Sequence, residues 1–241
     1  MKIYIVSKDK RYAYLNELLC KHGYDSKIAA PSEAKNAQAL ILPIRREYSD
    51  GELKELFEGI SDKTLVLAPM SQIKKEYFNG EVIDYSQNGE LLKRNARLTA
   101  EAFISSWYEA TECSFEKKKI LVCGYGRIGK CLCRILSSLG ADVYIYARRE
   151  ESREEARTNG FTPASLDFSK ECDAVINTVP SLIFDSALID SIPVGTYLFE
   201  LASTCGFERT ERVNFALGLP GKILPKSAAA VIFDAILPYL P

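Results

Sequence analysis

The chain has 241 residues, 47% of them hydrophobic and 26% charged, which excludes a disordered or fibrous protein and leaves room for one large domain or two small ones. Lys and Arg total 31 against 32 Asp and Glu, a formal charge of -1, so no global positive field exists to recruit nucleic acid or an anionic membrane. A small-molecule partner is expected.

Lys2 to Val6 reads as a strand, and Tyr12, Leu15, Leu18 and Leu19 then share one helical face before Gly23 lets the chain turn. Ala39 to Leu42 and Thr64 to Ala68 are further buried strands, separated by a helix carrying Leu53, Leu56, Phe57 and Ile60, and Glu81 to Asp84 is a weaker strand. This alternation predicts a parallel sheet covered by helices, an N-terminal α/β domain over residues 1–98. From Thr99 the spacing of Ala100, Phe103, Ile104, Trp107 and Tyr108 predicts one amphipathic helix, with Thr99 as its N-cap and Glu101 as its first-turn carboxylate. Residues 99–118 are read as this connecting helix and a linker.

The second half opens with the apolar run Ile120 to Cys123, then Gly124-Tyr125-Gly126-Arg127-Ile128-Gly129, then a helix with Ile128, Leu132, Ile135, Leu136 and Leu139 on one face. Gly140 ends that helix and Val143 to Ala147 is the next strand. A GxGxxG that follows a strand, opens a helix and closes a βαβ unit is the signature of a dinucleotide-binding fold: the glycines allow a tight turn, a close pyrophosphate and a helix lying near the sheet. Residues 119–222 are therefore read as a Rossmann domain, continued by strands at Ala174 to Thr178 and Tyr197 to Leu201, and residues 223–241 as a closing helix.

Where an NAD-preferring fold carries an acidic residue for the ribose 2′-hydroxyl, this sequence has Ala147-Arg148-Arg149. Two guanidinium groups suit a 2′-phosphate, so NADP is favoured, with NAD as the alternative. The competing reading makes Arg148 and Arg149 a solvated helix start paired with Glu150, Glu151 and Glu154. Asn177-Thr178-Val179-Pro180 ends a core strand at the sheet edge that binds ligands, or is only a capped turn. The seven cysteines form an odd set without a CxxC pair, as in a reducing compartment, and the single histidine, His22, argues against a His-based metal site or triad. With no apolar stretch near the roughly 18 residues that cross a bilayer, a cytoplasmic protein without bound metal is expected.

The glycine loop with Ala147-Arg148-Arg149, the strand end Ile176 to Pro180, the segment Gly218-Leu219-Pro220-Gly221-Lys222 with Pro225-Lys226-Ser227-Ala228, and Asn95-Ala96 with Thr99-Ala100-Glu101 together resemble the A-subunit family of bacterial dipicolinate synthases. The resemblance implies the two-domain build of 2-hydroxy-acid dehydrogenases. It also implies NADP-dependent oxidation of a dihydrodipicolinate-type intermediate to dipicolinate during sporulation, beside a flavoprotein-like B subunit; a homo-oligomer is expected separately. Leu201 and Ala202 join the cofactor-binding set on this basis. Lys222 becomes the leading carboxylate anchor, with Lys226 behind it, Ser203 and Thr178 hydrogen-bond donors, and Glu101 a base or a helix carboxylate. The sequence departs from the family at Ser7 to Arg11, where a glycine-rich strand end is usual, at Arg97-Leu98, at Glu200, where aspartate is common, and at Thr204-Cys205. The alternatives are a reductase of another small carboxylic acid and a non-catalytic, dinucleotide-binding regulatory subunit.

Overall fold

The structure, a computed structural model describing residues 1–240, divides its apolar residues between two α/β units, one built from residues 1–95 and the segment from Pro220 onward, the other from residues 96–219. The first contains β1 (Lys2–Ile5), α1 (Lys10–Lys21), β2 (Asp25–Ile28), β3 (Ala39–Ile41), α2 (Asp50–Glu58), β4 (Leu65–Leu67) and β5 (Val82–Ile83). All strand pairs are parallel, in the order β2-β1-β3-β4-β5. Val6, Leu40, Leu42 and Val66 pack with Leu53, Leu56 and Phe57 of α2 on one face. That helix starts where a capping box is written in the sequence: Ser49 Oγ accepts from Glu52 N, and the Glu52 carboxylate accepts from Ser49 N. β2 escapes a pattern reading because it is an edge strand in which only Ser26 is buried.

α3 (Gly89–Thr111) begins ten residues before the expected start. Asn88 is its cap, its Oδ1 accepting from Glu90 N and Leu91 N, each at 3.0 Å. Thr99 is consequently buried at mid-helix and not at an N-cap position, while Glu101 is exposed at mid-helix and Glu90 takes the first-turn position. The buried face extends upstream through Ala96 and Leu91, so the helix has no reason to begin at Thr99.

The second unit contains β6 (Lys119–Cys123), α4 (Arg127–Ser138), β7 (Asp142–Tyr146), α5 (Glu150–Thr158), β8 (Thr162–Pro163), β9 (Ala174–Asn177), α6 (Ser186–Ser191), β10 (Tyr197–Glu200) and β11 (Val213–Phe215). Its six strands are parallel in the order β11-β10-β9-β6-β7-β8, with Val122 of β6 in register with Ile145 and Ile176. The connectivity reverses between β6 and β9, which makes that gap the topological switch point. β6 and β9 are buried throughout except for Lys119, as central parallel strands require. Trp107 and Phe103 of α3 pack their rings against Phe199 of β10 and close one face.

α7 (Leu219–Ile223) and α8 (Pro225–Ile236) complete the first unit, α8 lying along α1 with Ala228, Ala229, Ile232 and Ile236 buried. Pro225 starts α8 without loss, since the first helical N–H has no partner to give up.

Candidate functional site

At the carboxyl ends of β6, β7 and β9 lies a cavity of 250 Å³. Three chain segments line it: Gly124, Tyr125 and Gly126 after β6, Tyr146 to Arg149 at the end of β7, and Thr178, Val179 and Pro180 after β9. Three stretches far apart in sequence, each with the chemistry to hold a cofactor, therefore meet at one switch point.

The loop is shaped for glycine at two of its three positions. Gly124 has φ +98°, where L side chains are strained, and a Cβ there would stand 2.6 Å from Thr178 Oγ1. A Cβ on Gly129 would collide with the Gly124 carbonyl oxygen, so α4 can lie this near the sheet only with glycine there. Gly126, the N-cap, meets nothing within 4 Å, and no side chain caps the helix. The open space above Gly126 and the uncapped N–H groups of a 12-residue helix form a cradle that a side chain would fill and that a pyrophosphate fits. Thr178 Oγ1 donates to Cys123 O at 2.8 Å and ties the β9 loop to β6.

At the β7 end Arg148 and Arg149 are exposed beside the cavity, and Arg148 Nη2 reaches Ser181 Oγ at 3.4 Å. Two of the acidic residues that could have paired with them are engaged elsewhere: Glu150 pairs with Arg153 and Arg157, and Glu154 with Arg157. Arg153 also donates to Ala147 O at 2.8 Å and Arg148 O at 3.0 Å, fixing the turn that presents the two arginines.

Beneath the β9 and β10 ends sits a group that the sequence marks only as a departure from the family. The Glu200 carboxylate is fully buried and accepts from Ala202 N at 2.8 Å, Gly206 N at 2.6 Å, Phe207 N at 3.0 Å and Asn177 Nδ2 at 2.8 Å. Asn177 in turn accepts from Val179 N at 3.1 Å and donates to Val179 O at 3.0 Å. A buried anion ringed by N–H donors thus sets the course of both strand-end loops. Asn177, Leu201 and Ala202 are all buried in this support and stand outside the cavity lining, as do Arg127, Ile128 and Gly129 of α4. Tyr146, Ser152 and Ile183 line the cavity in addition to the expected residues. Tyr146 carries a usable signal as the last residue of a strand at the ligand edge; Ser152 and Ile183 carry none.

The candidate chemical residues are dispersed. Ser203 is exposed after β10, and Glu101 is exposed on α3. Lys222 belongs to the first unit, where it lines a separate cavity of 350 Å³ with Lys10, Tyr14 and Lys226, the Lys226 Nζ lying 5.4 Å from the centre of the Tyr14 ring. His22 is exposed and packs its ring on Phe233 at 4.6 Å.

Residues 89–191 match the NAD-binding domain of the D-isomer-specific 2-hydroxyacid dehydrogenases. Over 192 residues the chain is 27% identical to the dipicolinate synthase A-subunit of Bacillus subtilis (strain 168), a match covering 75% of this chain and 63% of that protein, less than two thirds of its length. The chain is similar to the dipicolinate synthase A-subunit. The crystal structure of that protein from Bacillus halodurans superposes with a TM-score of 0.82 at 19% identity, covering 99% of this chain and 97% of the other. D-lactate dehydrogenase from Escherichia coli does so at 0.65 and 14%, covering 98% and 95%. The two parallel-sheet units thus share the fold of these proteins, and the second, which matches an NAD-binding domain, has a glycine cradle that suits a nicotinamide dinucleotide. Among the described residues no helix is long and apolar enough to cross a membrane.

Proposed function

We propose that this protein is an NADP-dependent oxidoreductase that converts a dihydrodipicolinate-type intermediate to dipicolinate. The observation that carries the cofactor choice is the pair Arg148 and Arg149 beside the cavity at the β7 end, where an acidic residue would select NAD. The substrate class rests on the similarity to the dipicolinate synthase A-subunit. The cradle of Gly124, Tyr125, Gly126, Arg127, Ile128 and Gly129 holds the pyrophosphate and the two arginines the 2′-phosphate. Asn177 to Pro180 with Leu201 and Ala202 shape the nicotinamide end. When bound, the oxidised cofactor supplies a hydride acceptor.

Aromatisation removes a hydride and a proton from the dihydropyridine ring and leaves both carboxylates in place, so the protein's task is to orient a planar dianion and receive one proton. Lys222 is proposed to hold a carboxylate, Ser203 to donate a hydrogen bond, and Glu101 to take the ring proton. Residues 1–98 are proposed as the substrate-side domain and 119–222 as the cofactor domain, linked by 99–118 and closed by 223–241, with Pro220 to Lys222 falling in the first unit and not at the end of the second. The cytoplasm of a sporulating cell, a homo-oligomer and a flavoprotein-like B subunit belong to the same reading.

Replacing Arg148 and Arg149 together by Gln tests it. A charge-assisted contact contributes roughly 1.5 to 3 kcal/mol, so NADP should weaken by about ten-fold or more while NAD changes little. Equal affinity for the two cofactors before and after the change refutes the NADP assignment. Dipicolinate formation from freshly generated intermediate, with and without a flavoprotein partner, separates turnover from cofactor binding alone.

A further inference from the structure

The first sheet has its own topological switch point. In the order β2-β1-β3-β4-β5 the connectivity reverses between β1 and β3, and ligands of open α/β sheets bind outside the carboxyl ends of such strands. The residues there are Ser7 to Arg11 after β1 and Arg45 to Glu47 after β3.

Both loops are held rigid. Glu47 crosses from the β3 loop to accept from Ser7 Oγ at 2.8 Å and Lys8 N at 2.5 Å. The β3 loop is fixed from below, where Ile44 N donates to Tyr12 Oη at 2.8 Å and Tyr85 Oη, 2.6 Å from Tyr12 Oη, donates to Leu42 O at 2.7 Å. Burial pushes the Tyr12 phenol up to about 12, so this relay stays neutral.

Arg11 lies inside this frame with a side chain only 9% exposed. Its Nε donates to Asp9 Oδ1 at 3.0 Å and its Nη2 to Asp9 Oδ2 at 2.6 Å. Gly221 passes so close that a Cβ there would stand 3.0 Å from Arg11 Nε. Among the described residues the acceptor for the guanidinium is the Asp9 carboxylate, reached through Nε and Nη2 and not through Nη1. Asp9 therefore uses the side edge of the guanidinium and leaves the end-on edge, Nη1 with the second hydrogen of Nη2, in the geometry that grips a carboxylate bidentately. Arg45 acts on Asp9 from the β3 loop, Arg46 is neutralised by Asp50, and Glu47 is spent on Ser7 and Lys8. Across Ser7 to Arg11 and Arg45 to Glu47 the cations Lys8, Lys10, Arg11 and Arg45 outnumber the carboxylates Asp9 and Glu47, Arg46 being paired with Asp50, so positive charge is in excess at the crevice.

We infer that the β1/β3 crevice of the first unit is a carboxylate-binding subsite, with Arg11 the anchor, Asp9 the residue that orients it, and Arg45 the second cation. The inference rests on the dicarboxylate reading proposed above and gives one of the two carboxylates its partner. A buried ion pair contributes little net stability, so an arginine kept here for packing alone has an apolar alternative of equal worth.

The test titrates the full chain with dipicolinate, succinate and oxaloacetate by calorimetry, for the wild type, Arg11→Lys and Arg45→Gln, with NADP titration and thermal melting of each. Lysine keeps the charge and loses the fork, so Arg11→Lys should weaken dipicolinate by about ten-fold and Arg45→Gln by about three-fold, while NADP affinity is retained. If dipicolinate binds both variants as tightly as the wild type, the subsite is overturned and the proposed function stands. If succinate or oxaloacetate binds in place of dipicolinate with the same dependence on Arg11, the subsite stands and the substrate reading falls. Binding of none of the three overturns the subsite. Should Arg11→Lys fold poorly, the exposed Arg45 decides the matter alone.

Discussion

Replacing Glu200 by Gln removes the charge and adds two N–H donors at nearly constant volume, which isolates the electrostatic role of the buried carboxylate. Oε2 accepts from Gly206 N, Phe207 N and, at 3.1 Å, Asn177 Nδ2, and Oε1 from Ala202 N and Asn177 Nδ2. A glutamine satisfies the first group by placing its oxygen at the Oε2 position, and its NH₂ then faces the Ala202 N–H, donor against donor, while Asn177 keeps its bond to the oxygen. One bond to a charged acceptor is lost outright, about 1.5 to 3 kcal/mol, and a buried donor is stranded for about 1 to 3 more, so a loss of about 3 to 5 kcal/mol is expected. For a chain of this size that is a melting decrease of roughly 6 to 20 °C. Urea unfolding followed by the fluorescence of Trp107, the single tryptophan, buried in the same unit, measures it directly. A variant within about 0.5 kcal/mol of the wild type would show that the ring of donors is satisfied without the charge, and the reasoning would fail.

Gly129→Ala places a methyl against the Gly124 carbonyl and should abolish dinucleotide binding in calorimetric titration even where the chain still folds; retained binding would mean that α4 can retreat from the sheet. Burial raises the Cys133 and Cys172 thiols to about 12 and pushes Cys123 well above the usual range, so brief iodoacetamide treatment at pH 8 should modify exposed Cys20 and spare those three, as read by peptide mass spectrometry. Burial works against the charged form of Asp9, but the Arg11 hydrogen bonds outweigh it and hold the carboxyl below its usual 3.8. Stability from this group is fully present above the unfolded value and is lost as the pH falls through the lowered folded one. The stability difference between the wild type and Asp9→Asn, from urea curves at stepped pH, should accordingly be flat above about pH 5 and shrink below 3.8; a difference constant through that range refutes the Asp9–Arg11 pairing.

The parts legible in the sequence are those where one physical demand dictates residue type locally. The run Ile120 to Cys123 has to be apolar because β6 is covered on both faces, and Gly124 and Gly129 have to be glycine because the β9 loop and the Gly124 carbonyl leave no room for a Cβ. The edge strands β2, β8 and β11 escape notice because each buries little and so carries no alternation. The start of α3 is misleading because Thr99 has the chemistry of a cap at a position where the apolar stripe already runs on both sides. The Glu200 ring is invisible for a different reason: its donors are mostly backbone N–H groups, which every residue but proline has, so no side-chain pattern records them. Arg11 is hidden likewise, since its setting depends on Gly221 arriving from the far end of the chain.

The return of α7 and α8 to the first unit has a consequence for synthesis. The second unit is one unbroken stretch of chain, whereas the first is interrupted by all of it, so order of appearance at the ribosome and order of completion differ. Until residues 96–219 have been made, the face of α1 that α8 covers lacks that helix. The alanines at 228 and 229 let α8 settle closely, so a segment translated after the whole second unit locks a helix made before it.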